Sequence, residues 1–293
     1  KPFDQRNEAF KRATWEPAMR NLALRYYARY SGLAFPGERE GYTLKELALA
    51  MAGWHVALDF GSGLFTGGEG LEAWIARPIG KTDTTRMPKG LKLEVSHGAE
   101  ATMVIKRAAR FFGASLVGVC ALDRRWLYSH SYHTVTKEHK PIEIGAEYQY
   151  AIVMAHEMDY EGIRQAPNHI AEAAASTIYS RMAGIAAMLA QFIRGLGYKA
   201  IPMGNDTATS IPLAIDAGLG ELSRMGLLIT PKYGPRVRLN KLLTDMPLEP
   251  DIPIEFGVWD FCQKCHKCAH FCPGQAIMQG QPTDKINNIC NRE

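Results

Sequence analysis

Cys262, Cys265, Cys268 and Cys272 form a C-x2-C-x2-C-x3-C run followed at once by Pro273. Thiolates at these spacings wrap one iron–sulfur cube with three sulfurs and aim the fourth at a different cluster. Zinc sites instead favour two C-x2-C pairs with a long spacer. The chemistry implied is one-electron transfer through two clusters. The second cluster needs three further cysteines, and only Cys290 follows Cys272. Because the chain also starts at Lys1 without a methionine, it reads as a processed or partial polypeptide. Cys290 itself stays open between ligand and bystander. Cys120, in the run Leu116-Val-Gly-Val-Cys-Ala, reads as a small buried hydrophobe.

Such a device needs a body to carry it. At 293 residues and 46% hydrophobic content, the chain predicts one large domain with a small appendage. Its net charge is +4, from 34 basic and 30 acidic side chains that are scattered along the sequence, which argues against nucleic acid as a partner. The most apolar helical stretch, Ile178 to Leu196, is interrupted by Ser180, Arg181, Gln191 and Arg194, so no membrane span is expected.

The first hundred residues read as loops and short helices, including the glycine-rich stretch from Phe60, with Trp15, Phe35, Trp54 and Trp74 available to line a cavity. From Ala99 the periodicity sharpens. A helix is predicted through Phe112, then strands over 116–121 and 148–155, a long helix over 169–196, and a strand over 198–203. The turn Gly204-Asn-Asp-Thr207 follows, then a helix over 211–217 closed by Gly218-Leu-Gly220, and strands over 226–230 and 237–243. Alternating helices and strands give the class α/β (α+β). The expected division is an N-terminal region at 1–98 covering a substrate cavity, a core at 99–252 and the iron–sulfur segment at 253–293.

Ala217-Gly-Leu-Gly-Glu-Leu-Ser-Arg-Met-Gly-Leu-Leu-Ile-Thr, Pro235-Arg-Val-Arg-Leu, Leu243-Thr-Asp-Met-Pro-Leu and Phe261-Cys-Gln-Lys-Cys together resemble the reductive dehalogenase family. The epoxyqueuosine reductases share a weaker form of the series. The resemblance implies a nitroreductase-like cobalamin-binding core with a small ferredoxin-like domain, base-off cobalamin, and two [4Fe-4S] clusters in the intact protein. It also implies that a tyrosine, a small polar or basic partner and an arginine converge over the cobalt. Tyr179 in Ser176-Thr-Ile-Tyr-Ser-Arg, Asn205 and Arg238 match those motif positions in order. In that role Tyr179 donates the proton, and Arg238 and Asn205 steady the phenolate left behind.

Cobalamin would lie close to the backbone at Gly218, Gly220 and Gly226, with Ser223 offering a hydroxyl and Tyr150, Met154 and His156 lining the site. His156 is not expected to be an axial ligand, because the D-x-H-x-x-G motif of base-on proteins is missing. The expected partners are a small organohalide, a chlorinated ethene or ethane, a low-potential electron donor, a small membrane-anchor subunit and a second copy of the chain. The expected location is the outer face of the cytoplasmic membrane, after folded export and removal of the signal peptide. The rival readings are an epoxyqueuosine reductase, which calls for a basic tRNA-binding surface and an acidic proton donor, and a non-catalytic corrinoid or electron-transfer protein.

Overall fold

The computed structural model describes residues 2–21, 37–57, 90–133 and 136–280. Its strands, in chain order, are β1 (Phe3–Asp4), β2 (Leu116–Ala121), β3 (Tyr128–Tyr132), β4 (His139–Pro141), β5 (Tyr150–Glu157), β6 (Ala200–Met203), β7 (Glu221–Leu222), β8 (Leu228–Ile229) and β9 (Val237–Thr244). The helices used below are α1 (Leu44–Val56), α2 (Gly98–Phe112), α3 (His169–Gly195), α4 (Ser210–Asp216), α5 (Val258–Lys264) and α6 (Lys267–His270). The class is mixed helix and strand, as the sequence predicted.

A four-stranded antiparallel sheet in the order β2-β5-β9-β6 forms the centre. Strand β5 lies inside it and is buried along both faces, which is why its sequence is an almost unbroken apolar run. Its side chains alternate between two cores. Ile152 and Met154 join Val117, Val119 and Leu242 against α2 and α3. Ala151, Val153 and Ala155 join Cys120, Ile201 and Leu243 against α4.

Helix α3 starts where the Asn168 side chain accepts the backbone N–H groups of Ile170 and Ala171. Helix α1 crosses it on small residues. A methyl group added at Gly53 would meet Ser176 Oγ at 2.2 Å. Ser176 donates to the Ala50 carbonyl at 3.2 Å, and Ser180 donates to that of Gly53 at 2.5 Å. The sequence reading, loops and short helices, understated this region. Leu44 and Leu49 of α1 are exposed, and it meets α3 through Ala50, Gly53 and Trp54, so the usual apolar stripe is missing from the sequence. A Thr43–Glu46 capping box sets its start.

Several boundaries move for local reasons. Strand β5 starts two residues later than predicted, because Tyr148 N–H turns back to the Gly145 carbonyl, and runs on to Glu157 opposite Val237. Strand β6 starts at Ala200, since Tyr198 N–H is held by the end of α3 and Lys199 N–H donates to Asp245. The predicted strand over 226–230 shrinks to β8, because Gly226 closes a turn onto Ser223. Phe35, Trp74, the glycine-rich stretch from Phe60 and Cys290 lie outside the described residues.

Candidate active site

Tyr179 projects from α3 where α1 crosses it, and three side chains from separate elements meet on it. Trp54 of α1 stacks on its ring, with centroids 5.2 Å apart and planes at 24°. The Arg238 guanidinium of β9 lies 5.1 Å from the same ring centroid. Asn205 donates from Nδ2 to the Tyr179 hydroxyl oxygen at 3.1 Å. Arg238 Nε is buried and finds no hydrogen-bond partner among the described residues. A buried guanidinium donor without an acceptor is costly, so the site favours an anionic or carbonyl-bearing group beside the phenol.

The turn that carries Asn205 is held from below. Lys241 is wholly buried in β9 and donates from Nζ to the Gly204 carbonyl at 2.6 Å and to Ser210 Oγ at 3.0 Å. Asp206 accepts the Gly204 N–H at 2.7 Å. Sequence reasoning missed Lys241, although a lysine beside Leu242 and Leu243 inside a predicted strand was a visible signal.

His156 pairs directly with Arg238 in the sheet. It is 2% exposed, and burial pushes its pKa down to about 4, with the Asn240 hydrogen bond opposing and Arg181 assisting. Asn240 donates from Nδ2 to the Met182 carbonyl at 2.7 Å, so its oxygen is the atom that meets His156 Nε2 at 2.9 Å. The neutral ring therefore carries its proton on Nε2, which leaves Nδ1 as a buried lone pair without a partner among the described residues.

Other predicted lining residues sit elsewhere. Met154 is fully buried in the helix-side core, which removes it from any cavity, and Tyr150 packs against the same core. Gly218 and Gly220 serve chain-to-chain approach: added methyl groups would meet the Ile252 carbonyl at 2.6 Å and the Ile229 carbonyl at 2.0 Å. Ser223 Oγ donates within its own turn to the Leu227 carbonyl at 2.8 Å, and Gly226 has the positive φ, +73°, that closes the turn. Trp15 donates to the Arg6 carbonyl and lies under that guanidinium in the N-terminal segment. Cys120 is core, its thiol pushed up to about 12 by burial.

Cys262 is buried on α5, while Cys265, Cys268 and Cys272 are partly exposed, and all four are free thiols. Cys268 is raised by burial and lies within electrostatic reach of Cys262, Cys265 and Arg224. Cys272 is held low by the backbone N–H of Ala276, with burial opposing and the N–H groups of Gly274, Ile277 and Gln275 assisting. Backbone N–H groups that favour the Cys272 thiolate suit it to iron–sulfur ligation. Arg224, 2% exposed, ties the segment down. It donates to the Cys262 carbonyl from Nε at 3.1 Å and Nη2 at 2.7 Å, and to the Met278 and Gly280 carbonyls from Nη1. Its backbone N–H lies 3.5 Å from Cys262 Sγ. Glu221 accepts the N–H groups of Phe256 and Val258. His266 meets the Gln263 carbonyl, and His270 packs edge-on against Phe271.

No family model matches the chain. Over 277 residues it is 37% identical to the tetrachloroethene reductive dehalogenase of Sulfurospirillum multivorans, a match covering 84% of this chain and 54% of that protein. Over 212 residues it is 41% identical to the tetrachloroethene reductive dehalogenase of Desulfitobacterium hafniense, covering 61% of this chain and 38% of that one. It superposes with a TM-score of 0.70 at 27% identity on a solved reductive dehalogenase described through a mechanism for B12-dependent dehalogenation, over 96% of this chain and 36% of that one. The chain thus spans about half the length, or less, of the relatives it matches.

Proposed function

The chain belongs to the reductive dehalogenase family, and on that premise we propose that it carries the proton-donating half of a reductive dehalogenation site. The reaction takes an organohalide, two electrons and one proton to the hydrogen-substituted product and a halide ion. When bound, a corrinoid supplies the low-potential two-electron reductant, and iron–sulfur clusters feed it electrons singly. The observation that carries the reading is the convergence of Asn205, Arg238 and Trp54 on Tyr179.

A phenol has an ordinary pKa near 10, which makes it a proton reservoir and a weak acid at neutral pH. The Asn205 amide on the Tyr179 oxygen and the Arg238 guanidinium over its ring orient Oη as the proton-bearing atom of the site. Trp54 fixes the ring by stacking, so little reorganisation accompanies the transfer. Arg238 Nε and His156 Nδ1, two of the buried polar atoms without partners among the described residues, are the positions from which this chain would hold the corrinoid or its substrate. Cys262, Cys265 and Cys268 would hold one cluster and Cys272 would serve the second.

The apolar face of Trp54 against Tyr179 supports a small apolar organohalide such as a chlorinated ethene or ethane. A nitroreductase-like core, a ferredoxin-like segment, a membrane-anchor subunit, a low-potential donor and a location on the outer face of the cytoplasmic membrane belong to the same reading and rest on the resemblance. The test is anoxic reconstitution with iron, sulfide and cobalamin, followed by chloride release from a chlorinated ethene with a reduced viologen as donor. Release that vanishes in Tyr179→Phe supports the proposal; a fully active Tyr179→Phe protein with corrinoid bound overturns it.

A further inference from the structure

A second cluster of ligating side chains lies away from Tyr179, on the small sheet ordered β1-β3-β4. We propose that Asp4, His130 and His139 form a binding site for a divalent first-row metal ion, zinc foremost, that pins the N-terminal strand to the β3–β4 hairpin. One ligand atom from each residue lies within 4.8 Å of the other two. Sheet register explains the meeting. Parallel pairing of β1 with β3 sets Asp4 opposite His130, and antiparallel pairing of β3 with β4 sets His139 opposite Tyr132, two residues on from His130. Residues two apart on a strand share a face, so all three project from the same side.

Local contacts pre-shape the site. Asp4 Oδ1 accepts the Arg6 N–H at 2.9 Å, which fixes the carboxylate. Both of its oxygens lie 3.0 Å from His139 Nε2. His130 Nδ1 meets Ser129 Oγ at 3.1 Å, the outer hydrogen bond that metal-ligating histidines commonly use to orient the other ring nitrogen. The two imidazole rings sit 4.7 Å apart at 32°, close enough for both to reach one ion. Side-chain exposures of 34% for His139 and 28% for Asp4 leave room for water to complete a tetrahedral shell. Two imidazoles and one carboxylate are a donor set suited to borderline divalent ions.

The bland alternative is a plain ion pair between Asp4 and His139, residues 135 apart in sequence, in which His130 takes no part. Zinc retained after desalting separates the two, measured on chain whose cysteines are already loaded with iron and sulfide. The wild type is expected to keep about one zinc per chain, and His130→Ala and His139→Gln less than a tenth of that, with unchanged iron content and His133→Ala as an unaffected control. Glutamine at 139 still hydrogen-bonds Asp4, so loss of zinc there reports ligation, not misfolding. A chelator should also lower the melting temperature of the wild type but leave that of His130→Ala unchanged. Equal zinc in wild type and His130→Ala, or no zinc in the wild type and no effect of the chelator, overturns the proposal.

Discussion

The surroundings of Tyr179 and the cysteine segment solve positioning in opposite ways. Tyr179 is fixed by side chains, on a long helix and a buried sheet: Trp54 from α1, Arg238 from β9, and Asn205 on a turn held by the buried Lys241. The cysteines lie on two short helices and the loop after them, tied back mainly by Arg224 and Glu221 through backbone groups, with Phe261 and Phe271 exposed beside them. A proton donor must be pre-organised by the protein because nothing else orients it. Cluster ligands are oriented by the bonds they make, so a lightly tethered loop with the right spacing suffices.

If that contrast holds, removing one cysteine should do the most damage. Cys262→Ala is expected to abolish bound cluster iron and all viologen-driven turnover, while the melting of the central sheet by circular dichroism changes little. Next comes Tyr179→Phe, which keeps the stack with Trp54 and removes only the hydroxyl. Turnover should fall by about 10²- to 10⁴-fold, the range for a lost general acid, with iron and corrinoid contents unchanged.

Arg224→Met tests the tether. It leaves the carbonyls of Cys262, Met278 and Gly280 without their donor, at about 1–3 kcal/mol. Hydrogen exchange should accelerate over residues 256–280 and stay unchanged in β5. Uniform acceleration would show that the segment is not independent of the core.

The effect that shows only in acid concerns His156. Its folded pKa, about 4, lies below the ordinary value of 6.5. The unfolded chain therefore binds the extra proton first, and stability is full above about pH 6.5 and lost as pH falls toward 4, by at most about 3 kcal/mol. Urea midpoints measured across that window should drop for the wild type, and the slope should flatten in His156→Gln.

The mixed fold class, the long helix from His169 to Gly195 and strand β2 were legible from periodicity, since each is buried on faces that the pattern marks. Helix α1 was not, because it packs on glycine and alanine against serines of α3. The residues of the Tyr179 site were named through family resemblance, because a tyrosine in an alanine-rich helix or an asparagine in a turn carries no local mark of function. The glycines near 218–226 were assigned to cofactor approach, yet the structure spends them on contacts with the chain itself and on a tight turn. Nothing in a sequence says which neighbour a missing Cβ makes room for.

What the sequence determined alone is the cysteine spacing, because a run over eleven residues is a local property that survives any arrangement of the rest of the chain. Only the tertiary structure decided that Tyr179 meets Asn205, Arg238 and Trp54, and that Asp4 meets His130 and His139. Those meetings depend on sheet register and on the crossing of α1 over α3, which long-range packing sets and local pattern does not encode.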